Sequence, residues 1–193
     1  EDLLKFIEED PGSLAVALKS IAKSLINFNR ILIEETGVEG FYYCVNNQNN
    51  FFEDSFFTTY VAPYEKEVLE KANELSDINI LHICGYDGLS NDLKLFKDFE
   101  AAAFNWDVEA EGISLTEGKK LFGGKAVIGG FEQDQVIYTG TREEIEKATF
   151  DILDECGQIG TIIGAGCTLP TDIEEIRLEW VRQASIKYAV GSQ

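Results

Sequence analysis

The chain has 193 residues, 45% hydrophobic and 26% charged, enough apolar material for one globular domain with a sizeable core. Sixteen Lys and Arg against 35 Asp and Glu leave a formal charge of −19, a field that repels phosphate backbones and anionic lipid headgroups and so excludes nucleic acid and membrane surfaces as partners. Four irregularly spaced cysteines are too few for a disulfide scaffold, and no apolar run has the length of a spanning helix. The expected setting is the cytoplasm, with the thiols free for metal or chemistry. The chain opens on Glu1 and contains no Met, so that end is read as a cut.

Apolar residues from Leu14 to Ile33 recur at helical spacing and predict one long helix between Asp2 and Glu35, punctuated by Pro11-Gly12. The aromatic, β-branched run Phe41 to Val45 predicts a strand, followed by the polar loop Asn46 to Asn50. A helix is expected over residues 54–74, a strand over 78–84 (INILHIC), a short helix over 91–99 and a strand over 101–106. Ser114 with Glu117 forms a capping box for the next helix, and Ala126 to Phe131 reads as the fourth strand. Thr141 and Glu144 open a helix that runs to about Glu155, Thr161 to Cys167 is the fifth strand, and Thr171 or Asp172 caps a last helix through Tyr188.

Five strands alternating with amphipathic helices imply a parallel sheet, either doubly wound or a barrel. No strand is followed by G-x-G-x-x-G, which argues against a dinucleotide-binding sheet. Five strands also fall short of the eight that close a (β/α) barrel, so a barrel needs about three more units upstream of Glu1 or in another chain.

The one spacing that carries chemistry is His82 and Cys84, two residues apart near the end of a predicted strand and therefore on one face of the sheet. Cys167 ends its own strand in the same way, after Gly164 and Gly166. Two thiolates and an imidazole suit Zn²⁺, and three protein ligands leave a fourth position open. Isolated His and Cys residues on apolar strands also occur as plain core residues, and Cys44 and Cys156 are read that way.

The segments ILHICGYDG (80–88), FNWDVEAEGISLTEGKKLFGGKAVIGGF (104–131), YTGTREEIEK (138–147) and GAGCTLPTD (164–172), with GVEGFYYC and VAPYEKEVLEKANE, resemble the C-terminal part of the uroporphyrinogen decarboxylase superfamily. That resemblance implies a (β/α)₈ TIM barrel, here as a truncated barrel of about five units in a single domain, 1–193. Within the superfamily the H-x-C … C pattern resembles the zinc-dependent methyltransferases that move a methyl group from a methylated corrinoid to a thiol. The resemblance then places one Zn²⁺ on His82, Cys84 and Cys167, with methylcobamide carried by a partner corrinoid protein and a small-molecule acceptor. Decarboxylases lack this cysteine pattern and meet their substrate with an arginine-rich motif near the family N-terminus. Here just four arginines are present, Arg30, Arg142, Arg177 and Arg182, all on predicted helices or their starts.

At the same rim Asp107 is expected to act as a fourth ligand or to orient substrate, and Tyr86 and Asp87 to line the pocket. Gln48 and Asn105 are expected to bind substrate polar groups, with Glu132 and Gln133 nearby. Two alternatives stay open: a decarboxylase-like lyase or metal-free relative, and a non-catalytic barrel piece that pairs with a missing half or with a second copy.

Overall fold

The computed structural model describes residues 7, 9–48, 54–85 and 89–191. Helix α1 (Pro11–Thr36) is capped by Asp10, whose carboxylate accepts the Ser13 amide, and it stops at Gly37 in the left-handed conformation (φ 76°). The remainder alternates β1 (Tyr42–Val45), α2 (Ala62–Asn73), β2 (Ile80–Ile83), a 3₁₀ turn (Leu93–Phe96), β3 (Ala103–Trp106), α3 (Val108–Glu111), α4 (Leu115–Leu121), β4 (Ala126–Phe131), α5 (Val136–Thr139), α6 (Arg142–Cys156), β5 (Thr161–Ala165) and α7 (Glu175–Gly191).

Local chemistry explains where these elements depart from the sequence pattern. The helix expected over 54–74 is broken: Asp54–Phe56 passes into a π-helical turn, Phe57–Val61, before α2 begins. Pro63 lies just beyond, and its missing N–H removes a rung of the α-helical ladder there. The expected helix over 91–99 is one 3₁₀ turn, capped by Asp92. The capping boxes at Ser114/Glu117 and Thr141/Glu144 form as the sequence indicates. The last helix starts at Glu175, beyond the expected caps Thr171 and Asp172, and the Asp172 carboxylate instead accepts the Tyr138 hydroxyl.

The sheet is wholly parallel in the order β1-β2-β3-β4-β5. Right-handed crossovers that always step the same way put every helix on the same face, which rules out the doubly wound alternative and gives an arc of a barrel. On the helix side Leu81, Ile83, Phe104, Trp106, Val127 and Phe131 are buried against Phe57, Phe96, Leu115, Phe122 and Ile145. Phe104 stacks on Phe122 with centroids 3.9 Å apart, and a Cβ at Gly118 would lie 2.0 Å from the Trp106 ring, so glycine lets α4 approach β3. The other face carries Tyr42, Cys44, His82, Asn105, Ile128 and Ile162, with Tyr42 and Ile162 half exposed. Among the described residues, β1 and β5 are the edge strands. No helix among those residues is long and apolar enough to cross a membrane.

Beside the β1 edge lies a cavity of about 310 Å³ lined by Leu14, Leu18, Cys44, Gln48, Val61 and Glu65. The Glu65 Oε2 is buried with no hydrogen-bond partner among the described residues, and burial pushes its carboxyl up to about 8. The folded chain therefore keeps a proton that the unfolded chain loses above about 4.5, so stability falls as pH rises from there to about 8. Glu65→Gln removes this dependence. It is expected to stabilise the chain by on the order of 2 kcal/mol at pH 8.5 and by little near pH 4.5, measured by urea unfolding; an equal effect at both pH values contradicts the buried acid.

Candidate functional site

Parallel register lines up one row across the arc: Cys44 opposite His82, His82 opposite Asn105, Asn105 opposite Ile128, Ile128 opposite Ile162. All five side chains leave the helix-free face near the C-terminal strand ends, where barrel enzymes gather their chemistry.

Asn105 orders the row. Its amide nitrogen donates to the backbone carbonyls of Ile128 (2.8 Å) and Ala165 (3.1 Å), which fixes the amide orientation and turns Oδ1 toward β2. That oxygen accepts the Tyr42 hydroxyl and lies 2.5 Å from His82 Nδ1. An acceptor on that side requires the hydrogen on Nδ1, so the Nε2 lone pair is free. Tyr42 stacks on the imidazole with centroids 5.2 Å apart, and the ring is 5% exposed. Burial holds the His82 pKa below its ordinary value, against the opposing effect of the hydrogen bond that its Nδ1–H donates to Asn105, so the imidazole is neutral at neutral pH.

Three sulfurs lie close to the ring. The ligand atoms of Cys44, His82 and Cys84 all lie within 4.8 Å of one another, a grouping that can hold a metal ion, and Cys167 Sγ is 3.8 Å from His82 Nε2. Cys84, one residue beyond β2, keeps the ladder going with its amide donating to Val45 O at 2.8 Å. Its thiol donates to the Gly85 carbonyl at 3.6 Å; burial first, then the neighbouring sulfurs, push its pKa up to about 12. The Cys44 thiol is also raised, chiefly by desolvation. Tyr42, pushed up to about 12 by burial and the three sulfurs, stays a phenol. Cys167 reaches the cluster because the chain after β5 crosses very close to Asp107: a Cβ at Gly166 would lie 2.7 Å from the Asp107 Cα.

The structure brings His82, Cys84 and Cys167 together, as their spacing suggests, and adds Cys44, which the sequence reading assigned to packing. Cys44 sits near the C-terminal end of its strand and opposite His82, the same signal that singled out Cys84, although the neighbouring strand had to be known for it to count. Asn105, expected to touch substrate, is fully buried with both ends of its amide engaged beneath His82. Asp107, expected to be a ligand or catalytic group, is buried as the N-cap of α3. Its Oδ1 accepts the Ala110 amide at 2.8 Å and its Oδ2 accepts Gln133 Nε2 at 3.1 Å. Glu132 lies against it and is pushed up to about 7, by burial first and then by Asp107. Gln48 is buried in the wall of the β1-edge cavity. Tyr86 and Asp87 lie outside the described residues. Asn91 and Glu111, absent from the sequence reading, brace the loop after β2: Asn91 Nδ2 donates to Cys84 O (3.2 Å) and to Glu111 Oε1 (2.7 Å).

An arc of parallel β/α units with a thiol–imidazole cluster at its C-terminal rim defines a piece of a barrel whose chemistry belongs to the strand ends. Residues 1–188 match the family model described as uroporphyrinogen decarboxylase (URO-D), and the chain belongs to that family. It is 24% identical over 133 residues to the methylcobamide:CoM methyltransferase MtbA of Methanosarcina mazei and 22% identical over 134 residues to that of Methanosarcina acetivorans, in each case over 69% of this chain and 37% of the relative. A solved methyltransferase from Methanosarcina mazei superposes with a TM-score of 0.77 at 16% identity, covering 96% of this chain and 52% of its own. The chain thus spans about a third to a half of the length of these relatives, and the superposition establishes the truncated barrel.

Because His82 is the sole histidine, its ring nitrogens give an unambiguous NMR signal. The wild-type chain is expected to show a neutral imidazole with hydrogen on Nδ1. Asn105→Ala should lose that preference and about 2 kcal/mol of stability, since two buried carbonyls lose their donor. Hydrogen on Nε2 in the wild type contradicts the assignment.

Proposed function

We propose that the chain is the C-terminal part of a zinc-dependent, corrinoid-linked methyltransferase acting on a thiol or similar acceptor. The observation that carries this reading is the meeting of His82 Nε2, with its lone pair free, and the thiols of Cys84 and Cys167 at the barrel rim. Soft sulfur donors with one imidazole suit zinc and disfavour magnesium or calcium, and His82, Cys84 and Cys167 would hold it. Zinc, when bound, lowers the pKa of an acceptor thiol so that a thiolate is present at neutral pH.

The chain's own residues prepare for that. Asn105 fixes the His82 tautomer, Tyr42 covers the ring, and the Asn91–Glu111 pair holds the Cys84 carbonyl in place. The acceptor sulfur, its proton given up on binding the metal, would bond the methyl carbon while the donor keeps the bonding pair of the bond that breaks. The donor corrinoid would be carried by a partner protein, and further β/α units would complete the barrel against the β1 and β5 edges. The half-exposed Tyr42 and Ile162 beside those edges support such a covering surface, as does the share of its relatives that the chain spans.

The arginines speak against decarboxylation of a polyanion. Arg30 bonds Glu34 and Asn27, Arg142 bonds Gln183, Arg177 bonds the Gly140 carbonyl and Arg182 bonds Glu179. Each of those bonds is made among helices and their connections, away from the sulfur cluster.

Elemental analysis of the purified chain tests the reading. About one zinc per chain is expected, lost in His82→Ala and Cys84→Ser with the circular dichroism spectrum unchanged. With methylcobalamin and a small thiol, Cys167→Ser should lower any thiol methylation at least 100-fold. Zinc-free, folded wild-type protein overturns the metal reading, and undiminished methylation in Cys167→Ser removes zinc from the chemistry.

A further inference from the structure

Three protein ligands leave a zinc site open, yet the cluster contains four donors. Cys44 stands directly across the β1–β2 ladder from His82, and its sulfur, His82 nitrogen and Cys84 sulfur lie within 4.8 Å of one another. Cys167 Sγ lies 3.8 Å from His82 Nε2, so three sulfurs and one nitrogen gather at a single ring. Donors on a tetrahedral zinc sit about 3.3–3.8 Å apart, so Cys44, His82 and Cys84 need to close by roughly 1 Å at most, which side-chain rotation can supply, and Cys167 already stands within that range of His82 Nε2.

The four donors are not equivalent in access. His82 is buried, Cys84 and Cys167 are half-buried, and Cys44 is exposed. Cys44 is also on an edge strand, beside the β1-edge cavity that it shares with Gln48 and Glu65, whereas His82 is held by strands on both sides. A ligand with open space beside it, on a strand paired along one edge, is the easiest of the four to release.

We propose that Cys44 is a fourth ligand of the zinc site and the one that the incoming acceptor thiol displaces. Before the acceptor arrives, three thiolates and one imidazole close the coordination shell and keep water from it. When it arrives, the metal–sulfur bond to Cys44 breaks as the bond to the acceptor sulfur forms, and the acceptor's proton moves to the Cys44 sulfur. The donor count and the net charge of the shell are unchanged, so the site is shielded without acceptor and loaded with it. The inference rests on the zinc reading above and deepens it by assigning the position that the acceptor takes.

Cobalt(II) substitution reads the number of bound thiolates directly, through the intensity of sulfur-to-cobalt charge-transfer absorption per metal. Wild-type chain is expected to show the intensity of three thiolates, and Cys44→Ser to bind one cobalt with about a third of that intensity lost. Adding 2-mercaptoethanol should leave the wild-type intensity unchanged, one sulfur entering as one leaves, and should restore the variant to the wild-type value. Cys44→Ala serves as a second variant with no oxygen left to bind. Equal intensity per cobalt in wild type and both variants overturns the role of Cys44 while leaving the metal site standing. Wild-type intensity that rises with thiol shows a position already open and likewise overturns the displacement. A wild-type chain that takes up no cobalt overturns the metal site itself, and this inference with it.

Discussion

The bond between His82 and Asn105 is the constraint from which the rest of the site takes its order. An imidazole offers a metal or a proton whichever nitrogen its surroundings leave bare, and those surroundings are set here by one amide. Asn105 has no freedom of its own: two carbonyls, one on β4 and one at the end of β5, hold its nitrogen, so its oxygen faces His82 and the Tyr42 hydroxyl. Four strands thereby fix the tautomer of one histidine, and its Nε2 is presented to the sulfurs.

The second constraint is geometric. A parallel sheet whose crossovers always advance the same way leaves one face without helices, and that face is where the row Cys44, His82 and Asn105 projects. The apolar interior lies on the other side, where Phe122 packs between Phe104 and Trp106 and the Trp106 ring closes on Gly118. Core and site are separated by the thickness of a sheet, so the packing that stabilises the arc does not compete with polar groups at the rim. Those polar groups are themselves paired. Asp107 caps α3 and meets Gln133, and Glu111 holds Asn91. An acidic chain can afford such carboxylates near a thiol cluster because each is tied to a donor or, as with Glu132, drawn toward its protonated form.

The thiols show why such a cluster suits a soft metal. Without one, burial and mutual repulsion push Cys84 far above neutral pH, so each additional negative charge is harder to create. A divalent cation reverses that, since it replaces protons with a charge that every sulfur can share. The same electrostatics that hold Cys84 and Cys44 protonated without a metal make the loaded site favourable, and a third sulfur within reach gives the shell somewhere to close.

Much of this was legible from local pattern. Alternation of apolar runs with capped amphipathic helices gave parallel β/α units, and the Ser114 and Thr141 capping boxes appear as written because a cap is a contact over three residues. His82 and Cys84 share a face because strand side chains alternate with period two, and the departure at Pro63 follows from its missing N–H. Across-strand neighbours were not legible. Asn105 is a buried brace beneath His82 and Cys44 a member of the cluster, because each depends on which residue the next strand places beside it, and Asp107 adds to its local cap of α3 a bond from Gln133 beyond β4. The sequence by itself determined the elements, the sheet's parallel character and the spacing of one donor pair. Register between strands 38 or more residues apart in the case of Cys44 and His82 was decided by tertiary packing alone, since no local interaction carries that information.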